Sequence, residues 1–135
     1  MKQKGFIICQ KCNATLFKGS WYHTKQVNYK KSTLCPACKM IENNIFEGEL
    51  VIENISKKNK TLVLNTIKNK GEKGFKNNPN HRIISTIYRN NRLNILTTKN
   101  NLALRMAKII KKSFNGTMKV IFSKKEALLR VYVVL

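Results

Sequence analysis

The chain has 135 residues, of which 42% are hydrophobic, which is enough apolar material for a folded core. Its charge is the dominant global feature, because 27 Lys and Arg stand against 6 Asp and Glu, for a formal net charge of +21. This composition argues against generic disorder, and no apolar run approaches the roughly 20 residues that a membrane helix needs.

The few acidic residues are unevenly distributed. There is no Asp, and four of the six Glu fall within residues 42–53. A chain this cationic repels itself unless a polyanion offsets the charge, which favours a nucleic-acid partner. The alternative is that AT-rich coding enriched Lys and Asn, but coding bias does not explain the missing acids.

All four cysteines lie in the first 47 residues, as two C-x2-C pairs. Cys9 and Cys12 form the first pair, and Cys35 and Cys38 form the second, with 22 residues between the pairs. Two intervening residues let a tight turn direct both thiolates at one ion, and two such turns complete a tetrahedron of sulfurs. We therefore predict a zinc ribbon over residues 1–47 with one structural Zn²⁺, since four sulfurs leave no open position for water.

Other uses of these cysteines are less favoured. Two disulfides would need an oxidising compartment, and the start of the chain lacks a signal-peptide core, so we expect a cytoplasmic protein. An iron–sulfur cluster is chemically possible, but its usual cysteine spacing differs. We expect His23 to be exposed or to support a ligand, and His81 to be a surface residue.

Residues 39–80 alternate between helical and extended patterns. A short helix over 39–46 is predicted to stop at Gly48, and residues 49–55 read as a strand. A helix is predicted from a Ser56 cap to Lys70, with Gly71 ending it and a loop over 72–80.

The remaining residues predict four strands and one helix. Strands over 82–89 and 92–98 flank Asn90-Asn91, a pair suited to a tight hairpin turn. A helix over 100–114 precedes strands over 117–123 and 128–135. The order predicts an α+β fold class: the four-cysteine zinc ribbon is followed, over residues 48–135, by a ferredoxin-like split β-α-β unit with an extra C-terminal strand. We expect an open antiparallel sheet with its helices on one face.

Cations accompany stackable rings or form a helical ridge in three places. These candidate RNA contacts are Lys18, Trp21 and Lys25 in the ribbon, Arg105, Lys108, Lys111 and Lys112 on the second long helix, and Lys119, Arg130 and Tyr132 on the last strands. Rings and cations on an open sheet suit single-stranded RNA, and a helical ridge suits backbone phosphates. The alternatives are that Tyr132 packs against another element and that Trp21 packs beneath the metal site.

Catalysis has little support in the sequence. Paired carboxylates are missing, no cysteine is left outside the metal set, and no phosphate-binding loop is present. We expect a non-enzymatic RNA-binding zinc protein. No membrane partner and no small-molecule substrate are expected. The alternatives are a DNA-binding transcriptional regulator, for which no helix-turn-helix is visible, and a protein-interaction module for an acidic partner.

Several short segments together resemble a known group. They are Cys9-Gln10-Lys11-Cys12, Phe17-Lys18-Gly19-Ser20-Trp21, Cys35-Pro36-Ala37-Cys38, Gly48-Glu49-Leu50, Thr97-Thr98 and Leu102-Ala103-Leu104-Arg105-Met106. Over most of its length the chain resembles short, uncharacterised prokaryotic zinc-ribbon proteins. That group is distantly similar to the amino-terminal region of the large-ribosomal-subunit export adapter of eukaryotes and archaea, which carries further C-x2-C pairs. The resemblance implies zinc ligation by the four cysteines and a ribosomal RNA partner. We therefore expect association with ribosomal RNA or a ribosomal subunit, as an assembly, hibernation or structural factor.

Overall fold

A computed structural model describes residues 6–23 and 29–135. Within these ranges the protein is a mixed α+β structure with two sheets, and no helix is long and apolar enough to cross a membrane. The elements are β1 (Phe6–Cys9), β2 (Thr15–Phe17), β3 (Ser20–Tyr22), β4 (Tyr29–Thr33), α1 (Pro36–Glu42), β5 (Gly48–Glu53), α2 (Lys60–Asn77), β6 (Ile83–Arg89), β7 (Arg92–Thr97), α3 (Asn100–Phe114), β8 (Thr117–Ser123) and β9 (Leu128–Val134).

The first sheet has the strand order β3-β2-β1-β4 and carries the first cysteine pair at the end of β1. Helix α1 begins earlier than predicted, directly after Cys35. The Cys35 sulfur accepts the N–H of Cys38 as an N-cap, and Pro36 supplies the φ angle that a first helical residue needs. The helix ends at Glu42, earlier than the predicted residue 46, with Asn43 as its C-cap. The left-handed φ of 55° at Asn44 then changes the direction of the chain.

The second sheet has the order β6-β7-β5-β9-β8 and is not fully antiparallel. Strand β7 is antiparallel to both of its neighbours, but β5 and β9 are parallel. The expectation of an antiparallel sheet is therefore wrong at this pair. The last strand occupies an interior position because Val131 and Val133 are completely buried, whereas β8 has several exposed apolar residues and lies at the edge.

The main core lies between this sheet and the two long helices. Strands β5, β7 and β9 direct alternate apolar side chains, such as Leu50, Ile95 and Val131, toward one face. Helices α2 and α3 cover that face with residues that include Ile67 and Met106. The other face of the sheet is not covered by a described helix, so the helix side and the open side present two different surfaces.

Helix α2 differs most from the sequence prediction. It starts at Lys60, after a turn in which the Ser56 hydroxyl accepts the N–H of Asn59, and it continues through Gly71 and Gly74 to Asn77. The predicted stop at Gly71 and the loop after it are therefore wrong. Both glycines are buried against neighbouring side chains, and an added Cβ at Gly71 would overlap the side chain of Ile83. Close packing overrides the poor helix propensity of glycine here.

The predicted Asn90-Asn91 turn is confirmed. Asn90 and Asn91 have φ angles of 52° and 62° and join β6 to β7, as a tight hairpin turn requires. Asn115 has φ 55° and ψ 46° and ends α3, with the N–H of Gly116 bonded to the carbonyl oxygen of Lys111.

Candidate metal centre and basic surfaces

The four cysteines converge on one point, as predicted. Their Sγ atoms all lie within 4.8 Å of one another, and the Sγ atoms of Cys12 and Cys35 are 3.7 Å apart. A tetrahedron with metal–sulfur bonds of about 2.3 Å has sulfur–sulfur edges of about 3.8 Å. A disulfide would instead bring two sulfurs to about 2.0 Å. The geometry therefore fits four ligands of one metal ion.

Two local turns place these sulfurs. In the first, the N–H of Asn13 bonds to the Cys9 carbonyl oxygen at 2.9 Å, and the N–H of Cys9 bonds to the Ala14 carbonyl oxygen at 2.7 Å. The left-handed φ of 64° at Asn13 closes this turn. The second turn is the start of α1, where Cys35 precedes the helix and Cys38 lies in its first turn. Backbone N–H groups point at the sulfurs, with Cys35 N 3.3 Å from Cys9 Sγ.

The thiols differ in acidity. Burial raises the pKa of Cys12 and of Cys35. Burial acts on Cys9 in the same direction, but the backbone N–H groups of Cys12, Cys35 and Lys11 outweigh it and lower the pKa of Cys9 to about 6. One sulfur is thus readily ionised, while Cys12 and Cys35 need a nearby cation to lose their protons, which a bound metal ion would supply.

Arg82, which immediately precedes β6, reaches this site from the other sheet. Its Nη1 atom donates to Cys38 Sγ at 3.5 Å, and its guanidinium lies 4.4 Å from the centre of the Phe75 ring. His23 donates from Nε2 to the Phe75 carbonyl oxygen, and its ring meets the Phe75 ring edge-on at 4.5 Å. These contacts join the cysteine cluster to α2.

The contact made by Arg82 was not predicted. No spacing rule connects it to Cys38, which is 44 residues earlier. His23 is exposed and lies against Phe75 rather than among the sulfurs, which agrees with the expectation that it is not a ligand. The predicted surface residue His81 is half-buried, and burial together with the charges of Arg105 and Lys99 lowers its pKa.

In the ribbon, Trp21 is half-buried and packs against the cysteine cluster. This is the alternative in which the ring supports the metal site. Lys18 is exposed in the β2–β3 turn, and its Nζ atom lies 5.4 Å from the centre of the Phe17 ring. The predicted contact Lys25 lies outside the described residues.

On the open side of the second sheet, Lys119 and Tyr132 are cross-strand partners. Arg130 lies on the same side, but it is paired with a carboxylate: its Nε atom is 3.0 Å from Glu49 Oε1. Glu53 also lines the cavity beside Tyr132. This side therefore combines cations with two of the six glutamates of the chain.

Helix α3 has an exposed basic ridge formed by Arg105, Lys108, Lys111 and Lys112. Its opposite face is buried in the core through residues such as Met106 and Ile110. Because α3 covers the helix side of the sheet, this ridge and Tyr132 lie on different sides of the molecule. The structure thus separates the predicted RNA contacts into distinct surfaces.

The fold and the site define a mixed α+β protein with a candidate four-cysteine metal centre. Comparison of the sequence with protein-family models gave no match, and comparison with curated proteins gave none either. The resemblance to short prokaryotic zinc-ribbon proteins and to the subunit export adapter therefore stays a prediction.

Proposed function

We propose that this is a zinc-stabilised RNA-binding protein with a cytoplasmic, ribosome-associated and non-catalytic role. The observation that carries the proposal is the separation of charge on the surface. Within the described residues, the four cations of the α3 ridge form no ion pair with a carboxylate. A continuous exposed row of cations suits the phosphates of a nucleic-acid backbone.

The positions of the glutamates support this separation, because most of them form ion pairs with cations outside the α3 ridge. Four of the six occur in ion pairs, which are Lys11–Glu42, Arg92–Glu53, Lys99–Glu47 and Arg130–Glu49. Such surface pairs contribute little to stability, on the order of 0–1 kcal/mol each. Their importance here is that none of these pairs includes a cation of the α3 ridge.

We propose zinc as the metal because four thiolates at tetrahedral spacing are its usual structural ligand set. Cys9, Cys12, Cys35 and Cys38 would hold the ion and, with no position left for water, would give it a structural role. Arg82 would orient Cys38 and stabilise its negative charge through the N–H···S hydrogen bond.

We also propose that residues 48–135 are a ferredoxin-like unit that has gained a strand. The crossover from β5 through α2 to β6, with β7 between the two strands, supports this assignment. Strand β8 runs parallel to β7, as the fourth strand of such a unit does, and β9 is inserted between β5 and β8.

The first test measures binding to a fluorescent single-stranded RNA across a range of salt concentrations. We expect a steep log–log salt dependence. Replacing three ridge lysines, as Lys108→Gln, Lys111→Gln and Lys112→Gln together, should reduce its slope by about 2 units if each contacts one phosphate. The matched control replaces Lys57, Lys124 and Lys125 with Gln, which removes the same charge from exposed positions elsewhere.

The possible results of this test distinguish RNA from DNA and from an acidic protein as the partner. Failure of the zinc-loaded protein to bind any RNA at low salt would overturn the proposal, whereas preference for a defined DNA duplex would indicate a DNA-binding regulator. A nuclease-resistant protein complex would indicate an acidic protein partner. Ribosome association is tested by sedimentation of cell extracts, where the protein should move with ribosomal subunits at low salt and leave them at high salt. Recovery only in ribosome-free fractions would contradict it.

A further inference from the structure

A narrow groove runs between the C-terminal half of α2 and the start of α3. Its volume is about 190 Å³. Helix α2 contributes Lys70, Lys73 and Asn77, which lie on successive turns, and α3 contributes Arg105 and Leu102. The groove therefore has three cationic side chains and one amide around a small apolar surface.

Gly74 brings the two helices together at this point. A Cβ added to Gly74 would lie 3.0 Å from Leu102 Cδ1, which is closer than ordinary contact. The missing side chain allows α3 to pack closely beside α2. This packing places Arg105 across the groove from Lys70 and Lys73, so that like charges face one another.

The groove has no negative charge of its own. Within the described residues, Lys70, Lys73 and Arg105 form no ion pair, and no carboxylate lines the groove. Glu72, although on the same helix, lines a different cavity beside Ile83. Three neighbouring cations repel one another, and a bound anion would relieve this repulsion.

The groove is suited to a small anion rather than a whole nucleotide. Pockets that enclose drug-sized ligands have volumes of about 300–1,000 Å³, above the volume found here. No aromatic ring lines the groove, so a base would have nothing to stack on. A guanidinium fork, two ammonium groups and an amide are donors that match the oxygens of one phosphate.

We propose that this groove is a binding site for one phosphate group and, resting on the proposed function, that the group is a backbone phosphate of the bound RNA. Arg105 belongs both to the groove and to the α3 ridge. The next ridge residues, Lys108 and Lys112, follow it at intervals of three and four positions on the same side of the helix. The groove would therefore fix one phosphate at the end of a track of looser phosphate contacts.

The first experiment uses inorganic phosphate as the probe and NMR as the readout, on the full zinc-loaded chain. We expect saturable shifts at Asn77 and a rise in the pKa of His81, whose neighbour Arg105 would gain an anionic partner. Arg105→Gln should abolish both effects, and Lys124→Gln, which removes a charge from an exposed position outside the groove lining, should leave them intact. Weak, unsaturable shifts spread over many exposed lysines would contradict a defined phosphate site.

The second experiment measures the salt dependence of RNA binding for Lys73→Gln combined with Arg105→Gln. We expect the log–log slope to fall by about 0.7 for the one lost phosphate. Arg105→Lys should keep the slope and weaken affinity, because lysine retains the charge and lacks the guanidinium fork. The matched control is Lys124→Gln combined with Lys125→Gln, which removes the same charge from exposed positions outside the groove lining.

The outcomes distinguish the two proposals. Normal RNA binding with an unchanged slope in the double variant would overturn the groove as an RNA contact and leave the proposed function standing. Saturable phosphate binding in a protein that ignores RNA would overturn the proposed function and support the groove as a site for free phosphate. An equal loss of slope in the variant with both Lys124→Gln and Lys125→Gln would show general charge attraction and also overturn the groove.

Discussion

Arg82 contacts both the candidate metal centre and the second sheet with its helices. It donates to Cys38 Sγ, lies over the Phe75 ring, and its backbone N–H bonds to Thr98 Oγ1 at 2.9 Å. A donor to a metal-bound sulfur stabilises the thiolate and fixes its orientation. Loss of such a supporting contact typically lowers metal affinity 10- to 100-fold.

We therefore expect Arg82→Gln to weaken zinc binding by about 10- to 100-fold. Competition with a chromophoric chelator measures this change directly. The zinc affinity of Arg82→Lys should lie between those of the wild type and Arg82→Gln, because lysine keeps the positive charge but lacks the geometry of the guanidinium fork.

Arg89→Gln is the matched control, since Arg89 is an exposed residue at the far end of β6. Equal zinc affinity for the Arg82 variants and the wild type would show that the contact with Cys38 is incidental. Equal losses in the Arg89 and Arg82 variants would show a nonspecific effect of charge.

The residues of the site differ in how far the sequence could predict them. The four cysteines were predictable because the geometry of a metal knuckle fixes their spacing within a few residues. Arg82 and Lys73 were not predictable as site residues, since the fold alone brings them to Cys38 and Arg105. The pairing of Arg130 with Glu49 depends in the same way on the register of two strands 81 residues apart.

At the scale of elements, local patterns predicted the type of each long element and failed where packing outweighed them. The asparagine turns were predictable because a left-handed φ is a local property. Helix α2 was predicted too short because Gly71 is a local stop signal, and its buried contact with Ile83 is invisible in the sequence. The interior position of β9 depends on pairing with β5, which no local pattern encodes.

The packing of α2 gives a prediction for Gly71→Ala. Alanine is favoured over glycine in a helix interior by about 1 kcal/mol, so propensity alone predicts stabilisation. The added Cβ would overlap Ile83, however, and overpacking of this kind costs about 1–3 kcal/mol. We expect a net loss in the free energy of unfolding, measured by denaturant titration of the zinc-loaded protein.

Asn69→Ala is the control for this prediction, because Asn69 is exposed on the same helix and should tolerate alanine or gain stability. A Gly71→Ala protein that is more stable than the wild type would mean that α2 and Ile83 are less closely packed than the structure shows.

At the scale of the whole molecule, the fold contains two hydrophobic clusters of very different size. The larger one fills the space between the second sheet and its helices. Within the part of the chain that the structure describes, the smaller one has five buried residues, which are Cys9, Ala14, Cys35, Ala37 and Cys38. Because alanines and cysteines bury little apolar area, this cluster cannot order the ribbon by the hydrophobic effect alone. A bound metal, contributing on the order of 10 kcal/mol, would supply the missing stability.

Removal of the metal should therefore unfold the ribbon and spare the larger domain. Trp21 is the single tryptophan of the chain and packs against the cysteines, so its fluorescence reports the ribbon alone. With a strong chelator we expect its emission to shift to longer wavelength, while the amides of Ile110 and Val131, deep in the larger core, keep their protection from hydrogen exchange. Returning Zn²⁺ should reverse the shift, and Cys9→Ser should resemble the chelated protein.

An unchanged Trp21 spectrum would mean that the ribbon folds without metal. Simultaneous loss of the hydrogen-exchange protection of Ile110 and Val131 would mean that the contacts of Arg82 and His23 make the two parts one cooperative unit.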